Sequence, residues 1–459
     1  MTASESVVLI IQTFALLSVL LLLGVFLRAK VKLFQKLYLP ACVIGGFIGL
    51  ILGPNGFSLL PISEDMMSVA SALPSILFIP VIAALPVCSG KMNFRSLKGQ
   101  KAPLICGAVI CLGFVLQYAL GLLVNIVFDF FSIETYPTFG LELGMGFGGS
   151  HGQVGAVGGM LEALDQPYYQ TAMGVTSTTA TVGMLGGLII GTFLINMAVR
   201  RNYTSVVKDI SSVPEEMRTG YFSSGQECPS LGRQTMVTSS IETLSLHLGL
   251  LLLATGGGYV LSNYVNKLGW SLLGAIATWV YALVVMYLLW FIIRKCKVDY
   301  LFDEKVKNSI TGLISDFLIT AAIMSIPLEV VASYWQPLLV MCVLGLIMTP
   351  MLIYFVCKKC LDKYWFENVL GSLGCLTGQF ITGMLLIKMA DPDLETPVLA
   401  DFGAGYTLQN FFCIPLITIM FPFVVNNGPT MGLLVNLGLA LIFVIIIVFV
   451  GRIGKGTAN

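Results

Sequence analysis

The chain has 459 residues, of which 56% are hydrophobic and only 11% are charged, and its formal net charge is +1. Soluble domains carry about 25% charged residues, so this composition argues against a soluble globular protein. The nearly balanced charge argues against a nucleic-acid partner. We therefore expect an all-α polytopic protein whose surroundings are a lipid bilayer.

Apolar runs close to the roughly 20 residues needed to cross a bilayer recur along the chain. They predict spans near residues 7–27, 38–53, 67–88, 102–128, 170–199, 240–262, 271–293, 309–328, 336–357, 400–424 and 431–451. Two further apolar stretches, about 139–164 and 367–390, are rich in glycine and are harder to assign.

The basic residues predict the orientation of the chain. If neither glycine-rich stretch crosses the membrane alone, all but two of the 25 Lys and Arg residues fall on one side, the exceptions being Lys267 and Lys388. By the positive-inside rule that side is cytoplasmic. This places the N-terminus outside and the C-terminus in the cytoplasm of a multi-pass protein of the cell (inner) membrane. A crossing by either stretch would break the partition, so we expect both to be re-entrant hairpins.

A hydrophilic segment, residues 200–238, has no spanning potential and is expected to be a cytoplasmic linker. Residues 1–199 before it hold five predicted spans and the first hairpin. Residues 239–424 hold five spans and the second hairpin, and residues 425–459 hold one extra C-terminal span and the tail. An odd number of spans in each half places the halves in opposite orientations, which is typical of an inverted repeat.

The two glycine-rich stretches also match locally, because a shift of 226 positions aligns the Gly-Gln pair at 152–153 with that at 378–379. Non-helical backbone at membrane depth is tolerated only where protein or a water-filled cavity surrounds it. There its N–H and C=O groups can bind an anion and a cation. The alternative is that the glycines only allow close helix packing. The predicted substrate-binding residues are Gly148, Gly149, Ser150, His151, Gly152 and Gln153 in the first hairpin, and Gly374, Thr377, Gly378, Gln379 and Thr382 in the second.

The run GGSHG and the later TSTTATVGMLGGLIIG resemble the first-half signature of the bacterial sodium/glutamate symporters. That family has a Gly-Gly-His-Gly run in its first hairpin, and GSLGCLTGQFITGM takes the place of its second hairpin. The resemblance implies a homodimer of inverted five-span repeats that couples inward sodium movement to glutamate uptake. The chain departs from the family at Ser150, at GQFITG in place of Gly-Ala-Thr-Pro, and in its eleventh span.

Two carboxylates are candidates for ion coupling. Asp316 lies within the predicted span 309–328, where a buried carboxylate is costly and normally marks an ion pathway. The alternative is a structural hydrogen bond or a position near the interface. Asp401 begins a later span and is the second candidate. Sodium is the expected coupling ion, proton coupling stays open, and no cofactor or other metal is expected.

The predicted function is sodium-coupled symport of glutamate or a related small carboxylate, so the solute is anionic or zwitterionic. One alternative is a sodium- or proton-coupled transporter of another amino acid or of a di- or hydroxycarboxylate. A channel is another, but conducting filters are usually rings of carbonyls or like charges, and the two hairpins differ in sequence. The chain contains no HExxH, Walker A or Rossmann pattern. Neither enzymatic activity nor a catalytic residue is predicted.

Overall fold

The computed structural model describes residues 3–37, 39–88, 101–201, 203–205, 219–222, 228–268, 277–361, 363–391 and 395–452. Lys91, Arg95, Lys98 and Lys455, together with much of the predicted linker, lie outside the described residues. All regular secondary structure in the described part of the chain is helical, and nine of its helices are long and apolar enough to cross a bilayer. The prediction of an all-α polytopic membrane protein is confirmed.

The first half folds into a series of long and short helices. These are α1 Ala3–Lys30, α2 Lys32–Lys36, α3 Ala41–Leu52, α4 Glu64–Ala83, α5 Lys101–Phe130, α6 Leu141–Gly149, α7 Val154–Ala163 and α8 Tyr169–Arg200. Helix α4 begins where the Ser63 hydroxyl accepts a hydrogen bond from the Met66 backbone N–H at 3.2 Å. Helix α3 ends at Leu52, Gly53 caps it directly before a proline, and the 12 residues of the helix are fewer than those of the predicted span 38–53.

The second half follows a similar order. Its helices are α9 Thr243–Lys267, α10 Thr278–Lys295, α11 Glu304–Met324, α12 Leu328–Ser333, α13 Trp335–Cys360, α14 Trp365–Thr377, α15 Phe380–Ala390 and α16 Val398–Arg452. Helix α16 is broken at Gly428, where φ is 82° and Pro429 follows. A proline lacks the N–H that continues a helix. The predicted spans 400–424 and 431–451 are therefore two segments of one interrupted helix.

Helices α5 and α8 form the centre of the fold. Helix α5 packs against α6, α13, α14 and α16, whereas α8 packs against α6, α7, α14 and α15. Large apolar side chains on α1, α9, α13 and α16 are exposed, for example Leu22, Val260 and Phe411. In a polytopic protein these outer surfaces face lipid. Polar groups meet in the interior instead, around the two central helices.

The described end of the predicted linker is tied to the helices by polar contacts. The Arg233 guanidinium donates to the Asp303 carboxylate at 3.0 Å, and the backbone N–H of Asp303 donates to His247 Nε2 at 2.8 Å. This guanidinium lowers the pKa of Asp303 below its ordinary value, because the hydrogen bond favours the charged carboxylate. The contacts fix the loop before α11 against the start of α9.

Candidate functional site

Each glycine-rich stretch is a helix pair separated by a short break. In the first, a 3₁₀ turn, Ser150–Gln153, separates α6 from α7. In the second, Gly378 and Gln379 separate α14 from α15. The glycine content therefore marks interruptions in helical structure, as expected for residues with weak helix propensity.

The chain reverses direction at the first break. Helix α6 runs parallel to α8 and α7 runs antiparallel to it, so both ends of the pair lie towards the start of α8. Along α6, Glu142 contacts Thr179 and Phe147 lies against Gly183. In the turn, His151 contacts Thr181, and further along the chain Gly158 of α7 lies against Met173.

The chain also reverses at the second break, where α14 and α15 pack tightly against each other. A Cβ on Gly374 would lie 2.5 Å from the Gly383 Cα, and one on Gly371 would lie 2.8 Å from the end of the Ile387 side chain. Such a close antiparallel approach requires glycine, because real Cβ atoms do not reach these distances. The second stretch is thus a compact helical hairpin.

The two breaks meet at the middle of α8. The Gln379 side-chain amide donates to the Gly149 carbonyl at 2.7 Å, although these residues are 230 positions apart. A Cβ on Gly152 would lie 2.9 Å from the same Gln379 nitrogen. On α8, Thr181 contacts the first break and Gly187 lies against Thr377 of the second. The structure therefore brings both predicted hairpin turns into one place.

Buried polar side chains surround this meeting place. His151 is completely buried, and its Nε2 lies 2.9 Å from the Thr181 hydroxyl oxygen. Its Nδ1 lies 3.4 Å from the Ser150 hydroxyl oxygen. Gln117 of α5 donates to the Leu376 carbonyl at 2.8 Å and to the Thr349 hydroxyl at 3.0 Å. The arrangement offers hydrogen-bonding groups inside an otherwise apolar interior.

The predicted substrate-binding residues fall into two groups. Gly149, Gly152 and Gln379 form the contact between the breaks, and Ser150 and His151 lie in the same turn. The others pack around that contact: Gly148 against Phe114, Gln153 against Gly149, Gly374 against Gly383, Thr377 against Gly187, and Thr382 against Gly378. Six of the eleven predicted residues are half-buried: Gly148, Gly149, Gly152, Gln153, Gln379 and Thr382. The other five are buried: Ser150, His151, Gly374, Thr377 and Gly378.

The sequence analysis missed Gln117 and Thr349, which support the second break from α5 and α13. Gln117 interrupts the apolar run 102–128, and an amide side chain near the middle of a predicted span was the signal that could have identified it. Its Oε1 has no hydrogen-bond partner among the described residues. An unpartnered buried acceptor beside the break is a group that a bound solute or ion can use.

The two predicted ion-coupling carboxylates lie elsewhere in the described structure. Asp316 on α11 is exposed and faces the Cys42 thiol of α3. Asp401 is half-buried in the first turn of α16, near Cys106 of α5. Neither is joined to Gly149 or Gln379 by a described hydrogen bond.

A separate cavity of about 530 Å³ lies between α4, α7, α9 and α10. Its lining includes the carboxylates of Glu162 and Asp165 and the amides of Asn263 and Asn266. The described lining residues include no lysine or arginine. The cavity is therefore better suited to cations and neutral polar molecules than to an anion.

A family model described as "Sodium/glutamate symporter" matches residues 7–379. The matched range is more than half of the chain, contains both helix breaks and ends at Gln379. Thr382, Asp401 and α16 follow the matched range. A comparison with individual curated proteins finds no significant match.

Proposed function

The chain belongs to the sodium/glutamate symporter family, and we propose that it imports glutamate together with sodium, using the two helix breaks as its substrate site. One observation carries the proposal. Two interrupted helices from distant parts of the family-matched region meet through the 2.7 Å contact between Gln379 and Gly149. The family match favours glutamate over the other amino acids and carboxylates considered above.

The helix ends at the meeting place suit both substrates. Helices α7 and α15 begin there, and a helix N-terminus presents free N–H groups and partial positive charge to a carboxylate. Helices α6 and α14 end there, so their C-terminal carbonyl groups are available to a cation. Glutamate would use the first kind of group, and a sodium ion bound together with glutamate would use the second.

An inverted repeat explains the packing of the helices. The contact of α1 with α3 has its counterpart in that of α9 with α10. In the same way α3 packs on α11 and α10 packs on α4, while α5 contacts α6 and α13 contacts α14. We assign residues 1–199 and 239–424 to the two repeats, 200–238 to the linker, and 425–459 to the extra span and tail.

The helix pairs are proposed to be re-entrant hairpins that enter from opposite membrane faces. The base of the first lies at the start of α8, where Tyr136 stacks on Tyr168 with 4.7 Å between ring centroids. The base of the second lies at the end of α8, where the Ser205 backbone N–H donates to Glu367 at 2.7 Å. Since the breaks meet at the middle of α8, the substrate can be reached from either side in turn.

The proposal includes the orientation and assembly of the transporter. The charge distribution supports an outside N-terminus and a cytoplasmic C-terminus, and the family resemblance supports a homodimer. Asp316 and Asp401 are retained as candidate ion-coupling residues, because a carboxylate within a predicted span normally marks an ion pathway.

Uptake of labelled glutamate by proteoliposomes under an imposed sodium gradient tests the proposal. We expect saturable uptake that is lost when choline replaces sodium. Gln379→Ala removes the contact to Gly149 and is expected to lower kcat/KM at least about tenfold, which corresponds to about 1.4 kcal/mol. Gln170→Ala, at an exposed glutamine on α8, is the matched control and should transport normally. Sodium-independent uptake, or ion current without accumulation, would contradict the proposal.

A further inference from the structure

Glu142 is a buried carboxylate without a basic partner. It lies in the first turn of α6, and its side chain is completely buried. One carboxylate oxygen accepts the backbone N–H of Gly140 at 2.7 Å, and the other, Oε1, has no hydrogen-bond partner among the described residues. The described groups that interact with this carboxylate are backbone N–H groups and the Tyr136 hydroxyl, and none is a cation. Burying a carboxylate in this way is costly unless a positive charge compensates for it.

Three hydroxyl oxygens without hydrogen-bond partners lie in the same region as Glu142 Oε1. They belong to Tyr136, Thr138 and Tyr168. The Tyr136 hydroxyl faces the Glu142 carboxyl group and the Tyr168 hydroxyl faces that of Thr138, but neither pair has hydrogen-bond geometry. Thr138 is completely buried, and Tyr136 is 6% exposed. A fully buried acceptor and three neighbouring oxygens are thus left to a ligand that accepts electron pairs.

Aromatic rings close this group of oxygens on one side. Tyr136 stacks on Tyr168, and the Tyr334 ring lies 5.6 Å from the Tyr136 ring and 5.9 Å from that of Phe139. These rings shield the carboxylate from bulk water and strengthen its attraction for a cation. Tyr168 is only half-buried, so this side of the group lies nearest to the loop surface.

We infer that Glu142, with the hydroxyl groups of Tyr136, Thr138 and Tyr168, forms a binding site for a sodium ion. A hard cation takes oxygen ligands, and one carboxylate balances one positive charge. A divalent cation would leave uncompensated charge in a buried site. A proton on Glu142 would bridge to a single neighbouring oxygen, whereas a sodium ion can use all four as ligands. The set of four oxygens therefore favours sodium over a proton.

This site would link sodium to the substrate through α6. The inference rests on the proposed symport and names a coupling-ion site for it. Glu142 is at the start of the nine-residue α6, and Gly149, which contacts Gln379, is at its end. The Glu142 carbonyl also accepts a hydrogen bond from Thr179 of α8 at 2.8 Å. A sodium ion at Glu142 would hold α6 against α8 and so fix the position of the first break.

Sodium-dependent thermal stability of the purified full-length protein tests the site without requiring transport. The midpoint of unfolding in detergent is measured against NaCl concentration, with choline chloride keeping the ionic strength constant and with glutamate omitted. The wild-type midpoint should rise with sodium, and Glu142→Gln should lose this rise. Tyr168→Phe removes one hydroxyl group from a half-buried side chain and should increase the half-saturating sodium concentration about tenfold. Tyr168→Phe also tests the site if Glu142→Gln folds poorly.

Two variants act as controls in the same titration. Glu367→Gln changes a carboxylate that is equally buried but lies at the base of the other helix pair, and Asp129→Asn removes an exposed carboxylate at the end of α5. Both should retain the sodium response. The inference is overturned if Glu142→Gln responds as the wild type does, if the wild type shows no response, or if its midpoint follows pH but not sodium. Failed glutamate uptake with an intact Glu142-dependent sodium response would reject the proposed function alone.

Discussion

Ser150 combines an unusual backbone conformation with a central position. Its φ of 54° lies in the left-handed region, which favours glycine. It follows Gly149, the acceptor of the Gln379 amide, and it is the residue that interrupts the Gly-Gly-His-Gly run of the family. The serine therefore stores backbone strain at the first break, and strain of this kind is concentrated at functional sites.

Replacing Ser150 by glycine should relieve this strain. We expect Ser150→Gly to gain about 1 kcal/mol of stability, because a sparsely populated backbone conformation with positive φ costs about 1–3 kcal/mol for a residue with a Cβ. The measurement is the midpoint of thermal unfolding in detergent. Ser315→Gly, inside helix α11, should instead lower the midpoint, since glycine is unfavourable in a helix interior. A fall in both variants would contradict a strained Ser150.

At the level of the helices, close contacts between glycines hold α14 and α15 together. The Gly374–Gly383 approach leaves no room for a methyl group, whereas no heavy atom lies within 4 Å of a Cβ placed on Gly256 of α9. The same residue type is therefore a packing requirement in one helix and replaceable in another.

The Gly374→Ala substitution should force α14 and α15 apart. We expect a loss of about 1–3 kcal/mol, the usual cost of overpacking, together with reduced glutamate uptake because the second break is displaced from Gly149. Gly256→Ala should be neutral or slightly stabilising. Unfolding midpoints and uptake rates of the two variants measure the difference. Equal behaviour of both variants would show that the close approach is not needed.

The sequence predicts where helices are interrupted better than it predicts which of their faces meet. Glycine content located both breaks, and Gly428 before Pro429 explains why two predicted spans form one broken helix. The contact of Gln379 with Gly149 was not predictable, because it depends on packing between segments 230 residues apart. Asp316 illustrates the same limit. Hydropathy placed it in a span, but the rotation of α11, which exposes it, is set by neighbouring helices.

On the scale of the whole molecule, the proposed topology predicts which loops are accessible from each side. Ser132, exposed after α5, should face outside, and Cys296, exposed after α10, should face the cytoplasm. A membrane-impermeant maleimide should label Ser132→Cys in right-side-out vesicles. It should label Cys296 only after permeabilisation, in a Cys228→Ser background. Labelling of both positions before permeabilisation would contradict the orientation.

The central claim is that two interrupted helices form one sodium-dependent glutamate site, and substrate protection of the first break tests it most directly. Gln153→Cys places a thiol on the half-buried turn, in a background with Cys228 and Cys296 replaced by serine. Glutamate at ten times its Kd, with sodium present, should slow alkylation about tenfold. Replacement of sodium by choline should abolish the protection. The control thiol of Gln170→Cys should be alkylated at the same rate with and without glutamate. Equal alkylation rates of Gln153→Cys with and without glutamate would contradict the account.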